Sequence, residues 1–305
     1  MTPTVSVIIP NYNHAPYLKE RIDSVLNQTY QDFEVIILDD CSPDNSVEVI
    51  EQYRSNPHVA HIIVNEQNTR NTFIQWERGI SLAKGKYIWI AESDDVAEPQ
   101  LLEALVGQLE QHPDASVAFC HSQMIDSNSK PLDMTWHPHG SSGRTEIYDG
   151  SWYNKKRMLV KNHIYNASMV VFKKSVFSAI PSDYKEYRYC GDWLFWTYVC
   201  MHGQVIEVCR QLNRYRQHQV KVTNQSKKNG GMWRNLGGIM RTYIVLFHLN
   251  PLQRHCLRGR WTKRFNKEAL PEDTLIKNEY PDIYGGRRLD IILYEIGKLF
   301  GFLRN

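Results

Sequence analysis

Short apolar runs alternate with amphipathic stretches through the first hundred residues. Val5-Ser6-Val7-Ile8-Ile9 has the pattern of a buried strand and is stopped by Pro10. Residues 15–28 then place Leu18, Ile22, Val25 and Leu26 on one helical face. The alternation repeats: strands over 35–38, 61–64 and 87–90, and helices over 46–53 and 72–83. Strand and helix in strict succession predict right-handed crossovers and a parallel sheet, as in a Rossmann-like nucleotide-binding half.

Beyond Pro99 the rhythm changes. A helix is expected over 101–110, a strand over 116–120, and a polar, Pro- and Gly-punctuated loop over 127–150 that covers the site. Another strand is expected over 166–172, a helix over 193–202 entered from Gly191-Asp192, and closing strands over 205–208 and 212–215. Trp233, Leu236, Met240, Tyr243, Ile244 and Phe247 fall at helical spacing, as do Leu289, Ile292, Leu293, Ile296, Phe300 and Leu303. The expected organisation is a catalytic domain over 1–220, with a nucleotide half (1–98) and an acceptor half (99–220), and a basic, mainly helical extension over 221–305.

An apolar content of 42% in 305 residues is ordinary for a soluble globular chain with a sizeable core. The six cysteines show no Cys-x-x-Cys pair and no zinc spacing, which favours a reducing, cytoplasmic setting over a disulfide framework. The run from Val5 to Ile9 is too short for a signal peptide, and no apolar stretch reaches the roughly 18 residues of a spanning helix. The net charge of +3 conceals an asymmetry: residues 208–267 hold 14 Lys and Arg and not one Asp or Glu. Such a segment suits a pyrophosphate, an anionic acceptor or an anionic membrane surface, or is simply a solvated basic face. No nucleic-acid motif accompanies the charge, so no nucleic-acid partner is expected.

Two acidic clusters carry the chemistry. Asp39-Asp40 closes the run 34–38, and Glu92-Ser93-Asp94-Asp95 follows the run 87–91. A carboxylate at the carboxyl end of a buried strand is costly unless something satisfies it, and that edge of an open sheet is where ligands bind. Adjacent acids such as Asp39 and Asp40 suit a base imide and ribose hydroxyls, although Ser42 or Asp44 nearby also reads as a helix cap. Asp94 and Asp95 suit Mn2+ or Mg2+, which prefer carboxylate and phosphate oxygens. Asp192, at a helix start, fits either a general base or a helix cap. Pro10-Asn11-Tyr12-Asn13 follows the first strand and can set a ring and amides against a base. Trp136, Trp152, Tyr187, Tyr189, Trp193 and Trp196 offer flat surfaces for a sugar ring, with Trp193 and Tyr189 favoured because they flank Asp192.

Taken in order, 5–13, 24–29, 34–40 with Ser42, 85–95 and 191–196 resemble the family 2 glycosyltransferases of the GT-A fold, over about residues 4–220. The resemblance implies an α/β fold with a central, mostly parallel sheet flanked by helices and a helical C-terminal extension. It implies nucleotide contacts at Pro10, Tyr12, Asn13, Asp39, Asp40, Arg70 and Asp94, a metal held by Asp94 and Asp95 with Asp95 the first choice, and Asp192 as catalytic base. Many members carry Ala-Arg-Asn-x-Gly before the fourth strand, where this chain departs with Gln75-Trp76-Glu77-Arg78-Gly79 preceded by Asn68-Thr69-Arg70-Asn71, so either Arg70 or Arg78 is the arginine expected toward the diphosphate. Arg216-x-His218 resembles an Arg-x-His of the family that contacts diphosphate or metal, while a buried structural histidine is the other reading.

The implied activity is an inverting transfer from a nucleotide-diphosphate sugar, UDP-linked by expectation, to a glycan or lipid-linked hydroxyl in surface polysaccharide synthesis. The expected location is cytoplasmic, with the 289–303 helix either packing on protein or lying on the inner face of the membrane. A sugar-1-phosphate nucleotidyltransferase would carry an early Gly-rich loop with Arg and Lys, which Pro10-Asn11-Tyr12-Asn13 is not. A non-catalytic sugar-nucleotide or glycan-binding module would bind donor without releasing nucleotide.

Overall fold

In the computed structural model, residues 2–134, 142–217, 230–268 and 273–303 are described. The first hundred residues form β1 (Val5–Asn11), α1 (Ala15–Leu26), β2 (Phe33–Asp39), α2 (Ser46–Glu51), β3 (Val59–Val64), α3 (Thr72–Leu82) and β4 (Tyr87–Ile90). The strands pair in parallel in the order β3-β2-β1-β4. Every residue of β1 and β2 is buried, as expected when helices cover both faces of a parallel sheet. Pro10 is tolerated in this central strand because pairing with β4 ends at Ile8 opposite Ile90. Gly79 lets α3 lie directly on β1, since a Cβ there would fall 2.4 Å from Ile8 Cγ2.

The sheet continues through β5 (Val96–Ala97), β6 (Ala115–Ile125), β7 (Thr145–Tyr148), β8 (Val170–Lys173) and β9 (Gln204–Arg216), with α4 (Leu101–Gln111), α5 (Gly150–Tyr153) and α6 (Gly191–Cys200) between them. Strand β8 runs antiparallel between β4 and β6, while β9 runs parallel to β6 and antiparallel to β5 and β7. The sheet is therefore mixed, with the strands of the nucleotide-type half paired in parallel and β6–β9 a further parallel pair beyond them. The two expected closing strands are one: β9 runs unbroken, its register against β6 shifting where Cys209 and Arg210 stand between the partners of Cys120 and His121. Exposed Arg210 and Gln211 hid that continuity. Within the expected 127–150 loop, Thr145–Tyr148 pairs with β9 instead.

Two compact units emerge, one of residues 1–150, 164–181 and 198–218, the other of residues 151–163, 182–197 and 219–305. Two segments before residue 220, 151–163 and 182–197, cluster with the C-terminal helices. The whole sheet belongs to the first unit. The second contains α7 (Gly231–Leu246), α8 (Pro251–Phe265), α9 (Asp273–Glu279), α10 (Pro281–Tyr284) and α11 (Arg288–Leu299). Its core is aromatic: Trp193 lies 6.2 Å from Trp261 and 6.3 Å from Tyr243, and Phe265 stacks on Tyr284 at 4.6 Å. Helix α8 begins with a capping box between Asn250 and Gln253 and has Pro251 in its first turn. Its buried Leu257, Trp261 and Phe265 are helically spaced, but four Lys and Arg interleave with them and obscure the stripe.

The basic stretch is less of a free field than its composition implied. Arg216 and Arg260 are buried, Arg214 pairs with Glu98, Arg234 with Glu279, Arg241 with Asp282, and Lys263 with Glu295. Acids from outside the segment pair with part of its charge. No described helix is long and apolar enough to cross a membrane.

Candidate active site

The carboxyl ends of β2, β1 and β4 lie side by side in the first unit and carry both acidic clusters. Asp39, Asp40 and Asp95 are satisfied there by protein donors. Asp39 is fully buried; its Oδ1 accepts from Asn11 Nδ2 at 2.7 Å and Ser42 Oγ at 2.6 Å, and its Oδ2 from the Ser42 amide at 2.9 Å. Asp40 accepts from Asn65 Nδ2 (2.7 Å), Gln75 Nε2 (2.9 Å), Thr69 Oγ1 (2.8 Å) and the Thr69 amide (3.0 Å). A carboxylate offers about four acceptor positions, so Asp40 is filled and Asp39 nearly so. Their work in this arrangement is to pin the loops after β1, β2 and β3.

Those loops are strained at three points. Asn13, Cys41 and Arg70 all adopt left-handed φ values near 60°, each costing on the order of 1–3 kcal/mol unless its surroundings impose it. The Asn13 amide donates to Ser42 Oγ at 2.9 Å and the Arg70 amide to Asn68 Oδ1 at 2.6 Å. Strain of this sort gathers at ligand sites. What the loops turn outward is Tyr12, 47% exposed, and Arg70, also exposed, whereas Arg78 is hydrogen-bonded to Asn65. Pro10 is buried in β1 and supports the turn rather than facing out.

The second cluster divides between adjacent residues. Asp95 is fully buried, with Oδ2 accepting from Asn166 Nδ2 at 2.7 Å, Oδ1 from the Arg216 amide at 2.9 Å, and the Arg21 guanidinium at 3.9 Å. Both oxygens of the carboxylate expected as the first choice for metal thus accept from protein donors. Asp94 is half-buried, and so is Glu92, whose Oε1 accepts from Trp76 Nε1 at 3.0 Å. Burial, reinforced by Asp94 and Asp95, pushes the Glu92 carboxyl up to about 8. Burial, with Asp94 beside it, raises Asp95 too. Crowded carboxylates that hold protons this firmly fit a hard divalent cation, and Glu92 and Asp94 are the two not enclosed by the core.

Arg216, expected at the diphosphate or metal, is engaged with protein acceptors. Its Nε donates to the Asp94 carbonyl at 2.6 Å, its Nη1 to the Asp126 carbonyl and Ser129 Oγ, and its Nη2 to Glu20 at 2.7 Å, with the Tyr17 ring 4.6 Å away. Fully buried and committed on every nitrogen, it braces the segment after β4 and has no group to offer a diphosphate. His218 lies outside the described residues, as does Trp136. Arg21 was missed in the sequence reading. It donates from Nε to the Glu92 carbonyl at 2.8 Å and from Nη2 to Ser168 Oγ at 3.1 Å. A signal was present, since Arg21 stands three residues after Leu18 and four before Val25, on the apolar face of α1. Asn166, Ser168 and Glu20 were missed as well, and nothing local marks them.

In the second unit, Asp192 opens α6 and accepts from Asn162 Nδ2 at 3.1 Å. Burial pushes its carboxyl up to about 6, against the opposing hydrogen bonds of the Trp193 amide and Asn162. Trp193 is buried and donates from Nε1 to the Met158 carbonyl at 2.8 Å. It packs rather than presenting a face to a sugar, and Trp196 is likewise core. Tyr189 is half-buried, its amide held by Asn235 Oδ1 at 2.8 Å. Asn235 also lines a cavity of about 440 Å³ with Tyr187, Arg234, Arg241 and Tyr280.

The family profile described as glycosyl transferase family 2 matches residues 6–180. Glycosyltransferase GlyG of Streptococcus pneumoniae is 37% identical over 117 residues, covering 38% of each chain. The putative teichuronic acid biosynthesis glycosyltransferase TuaG of Bacillus subtilis is 32% identical over 137 residues, 44% of this chain and 53% of TuaG. The matched part thus spans about half or less of these two relatives. Among solved structures, S. aureus TarS 1–349 in complex with UDP superposes with a TM-score of 0.57 at 16% identity, over 97% of this chain and 91% of TarS, and TarS has also been solved with UDP-GlcNAc. At that identity the likeness establishes the fold, the GT-A arrangement of sheet and helices with helices at the C-terminus.

Proposed function

The chain belongs to glycosyl transferase family 2, and from that premise we propose that it moves a sugar, with inversion, from a UDP-type donor to a hydroxyl of a glycan or lipid-linked saccharide in surface polysaccharide synthesis. The observation that carries the reading is the carboxyl edge of β2, β1 and β4, where buried acids hold strained loops that expose Tyr12 and Arg70 beside half-buried Asp94. Tyr12 and Asn13 take the nucleoside and Arg70 the diphosphate, while Asp39 and Asp40 shape the site from beneath. Glu92 and Asp94 would hold Mn2+ or Mg2+, whose chemistry is to neutralise charge on the departing diphosphate. TarS with UDP and the teichuronic acid assignment of TuaG support the donor and pathway classes.

Asp192 is the general base of this reading. It takes the proton from the acceptor hydroxyl as the hydroxyl oxygen bonds to the anomeric carbon and the bond from that carbon to the diphosphate oxygen breaks. A carboxylate with a pKa raised to about 6 is ionised at neutral pH yet more basic than an exposed one, which suits that task. Tyr189 and the neighbouring Tyr187–Tyr280 cavity form the acceptor side. The apolar stripe of α11, with Leu289, Ile292, Ile296 and Leu299 exposed and Arg287 and Arg288 at its start, rests on an anionic bilayer where a lipid-linked acceptor is found. Leu299→Glu with Ile296→Glu should abolish flotation with anionic vesicles.

A thermal-shift panel of nucleotide sugars with and without Mn2+, followed by release of nucleoside diphosphate with saccharide acceptors, tests the whole reading. Stabilisation by a UDP-sugar and acceptor-dependent release are expected. Binding without release for every acceptor would leave a sugar-nucleotide-binding module instead.

A further inference from the structure

Away from the carboxyl edge of β1, β2 and β4, strands β6, β7 and β9 bring a different set of side chains together. His121 of β6 lies with Nε2 2.9 Å from Glu207 Oε1 of β9. One ligand atom each from His121, Glu207 and Cys209 lies within 4.8 Å of the other two. Glu207 and Cys209 are two residues apart in a strand, so they share a face, and the intervening Val208 is buried on the other.

The backbone is irregular at this point. The register of β6 against β9 shifts on both sides of His121, and such irregularities re-aim side chains next to functional sites. The third strand adds to the set. Glu146 of β7 stands directly opposite Glu207, and Tyr148 Oη lies 3.3 Å from Glu207 Oε2. Two carboxylates directly opposite on one face of an antiparallel pair repel. The neighbouring cation is Arg144, with Nε 3.9 Å from Glu146 Oε1. A bound cation would reverse that repulsion.

We infer that His121, Glu207 and Cys209 form a transition-metal site, suited to Zn2+, that clips β6 to β9 beside β7. The donor set decides the metal: imidazole nitrogen, thiolate sulfur and carboxylate oxygen are the ligands of zinc, whereas Mg2+ and Mn2+ favour oxygen. Tetrahedral zinc bonds of about 2.0–2.3 Å set donor atoms roughly 3.3–3.8 Å apart, so the His121–Glu207 pair at 2.9 Å must open slightly while any wider separation, up to 4.8 Å, closes. Small side-chain rotations supply this, since Glu207 and Cys209 are only partly buried. The fourth position faces Glu146, Tyr148 or water. The site is separate from Glu92 and Asp94 and does not depend on the transferase reading.

Full-length protein stripped with chelator, loaded with Co2+ or Zn2+ and desalted, tests it. About one equivalent should be retained, the cobalt form should show thiolate-to-metal charge-transfer absorption, and Zn2+ should raise Tm as expected of a ligand bound by the native state alone. Cys209→Ser should abolish the band and weaken zinc by more than the roughly 10–100-fold that loss of an outer partner causes. Asp94→Asn should retain the zinc, and excess Mn2+ should not displace it. Absence of the thiolate band in the unmutated protein, or its persistence in Cys209→Ser, overturns the site.

Discussion

The acids at the sheet edge and the acid that opens α6 have opposite surroundings. Asp39 accepts three hydrogen bonds and Asp40 four from protein donors, whereas Asp192, with Asn162 and the Trp193 amide, is pushed up to about 6 by burial; Asp95, also raised by burial, is enclosed by Asn166, the Arg216 amide and the Arg21 guanidinium. A carboxylate enclosed by several donors is fixed in place and ill suited to exchanging a proton. One with few donors and little water is poised to do so. The contrast separates acids that hold loops in place from the acid proposed as a base, although all four are aspartates with reduced exposure.

The largest expected effect probes the reactive side. Asp192→Asn should lower turnover by about 10²–10⁴-fold while donor-induced thermal shifts persist; near-normal turnover would remove Asp192 as base. On the building side, Asp95→Ala leaves buried Arg21 and Asn166 without their partner, and should cost about 3–5 kcal/mol in urea unfolding. Its neighbour makes the sharper contrast. Asp94→Asn should change stability by no more than about 0.5 kcal/mol while removing the Mn2+ dependence of donor binding, and equal destabilisation by the two would erase the distinction. Arg70→Ala should weaken donor binding by roughly 10–100-fold, the loss of a charge-assisted hydrogen bond of about 1.5–3 kcal/mol, read by calorimetry against an unaffected Arg78→Ala.

The smallest effect is in pH dependence. A base must be ionised, so turnover should fall about tenfold per unit below pH 6, and Asn162→Ala, by deleting a bond that favours the carboxylate, should move that limb to higher pH. Stability runs the other way. Because the Asp192 carboxyl is raised in the folded chain, its protonated form favours folding below about pH 4, and that contribution is lost as pH rises through about 6. Asp192→Asn should therefore gain in Tm relative to the unmutated protein at pH 8 but not at pH 4.

Much of the nucleotide-type half was legible because it is written in local pattern. The four parallel strands and three helices before Pro99 lie within a few residues of their expected bounds, since apolar runs and helical stripes report burial directly. Helix α8 was not legible, because interleaved arginines mask its apolar stripe, and two of them, Arg260 and Arg264, pack against tyrosine and tryptophan rings. At the site, Asp94 and Asp95 are indistinguishable in sequence. Only the positions of Asn166, Arg21 and Arg216, distant along the chain, turn one inward and leave the other half-open.

The sequence by itself determined the succession of strands and helices, the placement of acids at strand ends and membership in the family, because periodicity and short motifs are properties of neighbours along the chain. Which acid is saturated, which arginine is exposed, and that His121 meets Glu207 and Cys209 were decided by tertiary structure alone. Hydrogen-bond satisfaction and burial depend on groups from other elements, for Asp95 and His121 from 70 or more residues away, and no local pattern records them.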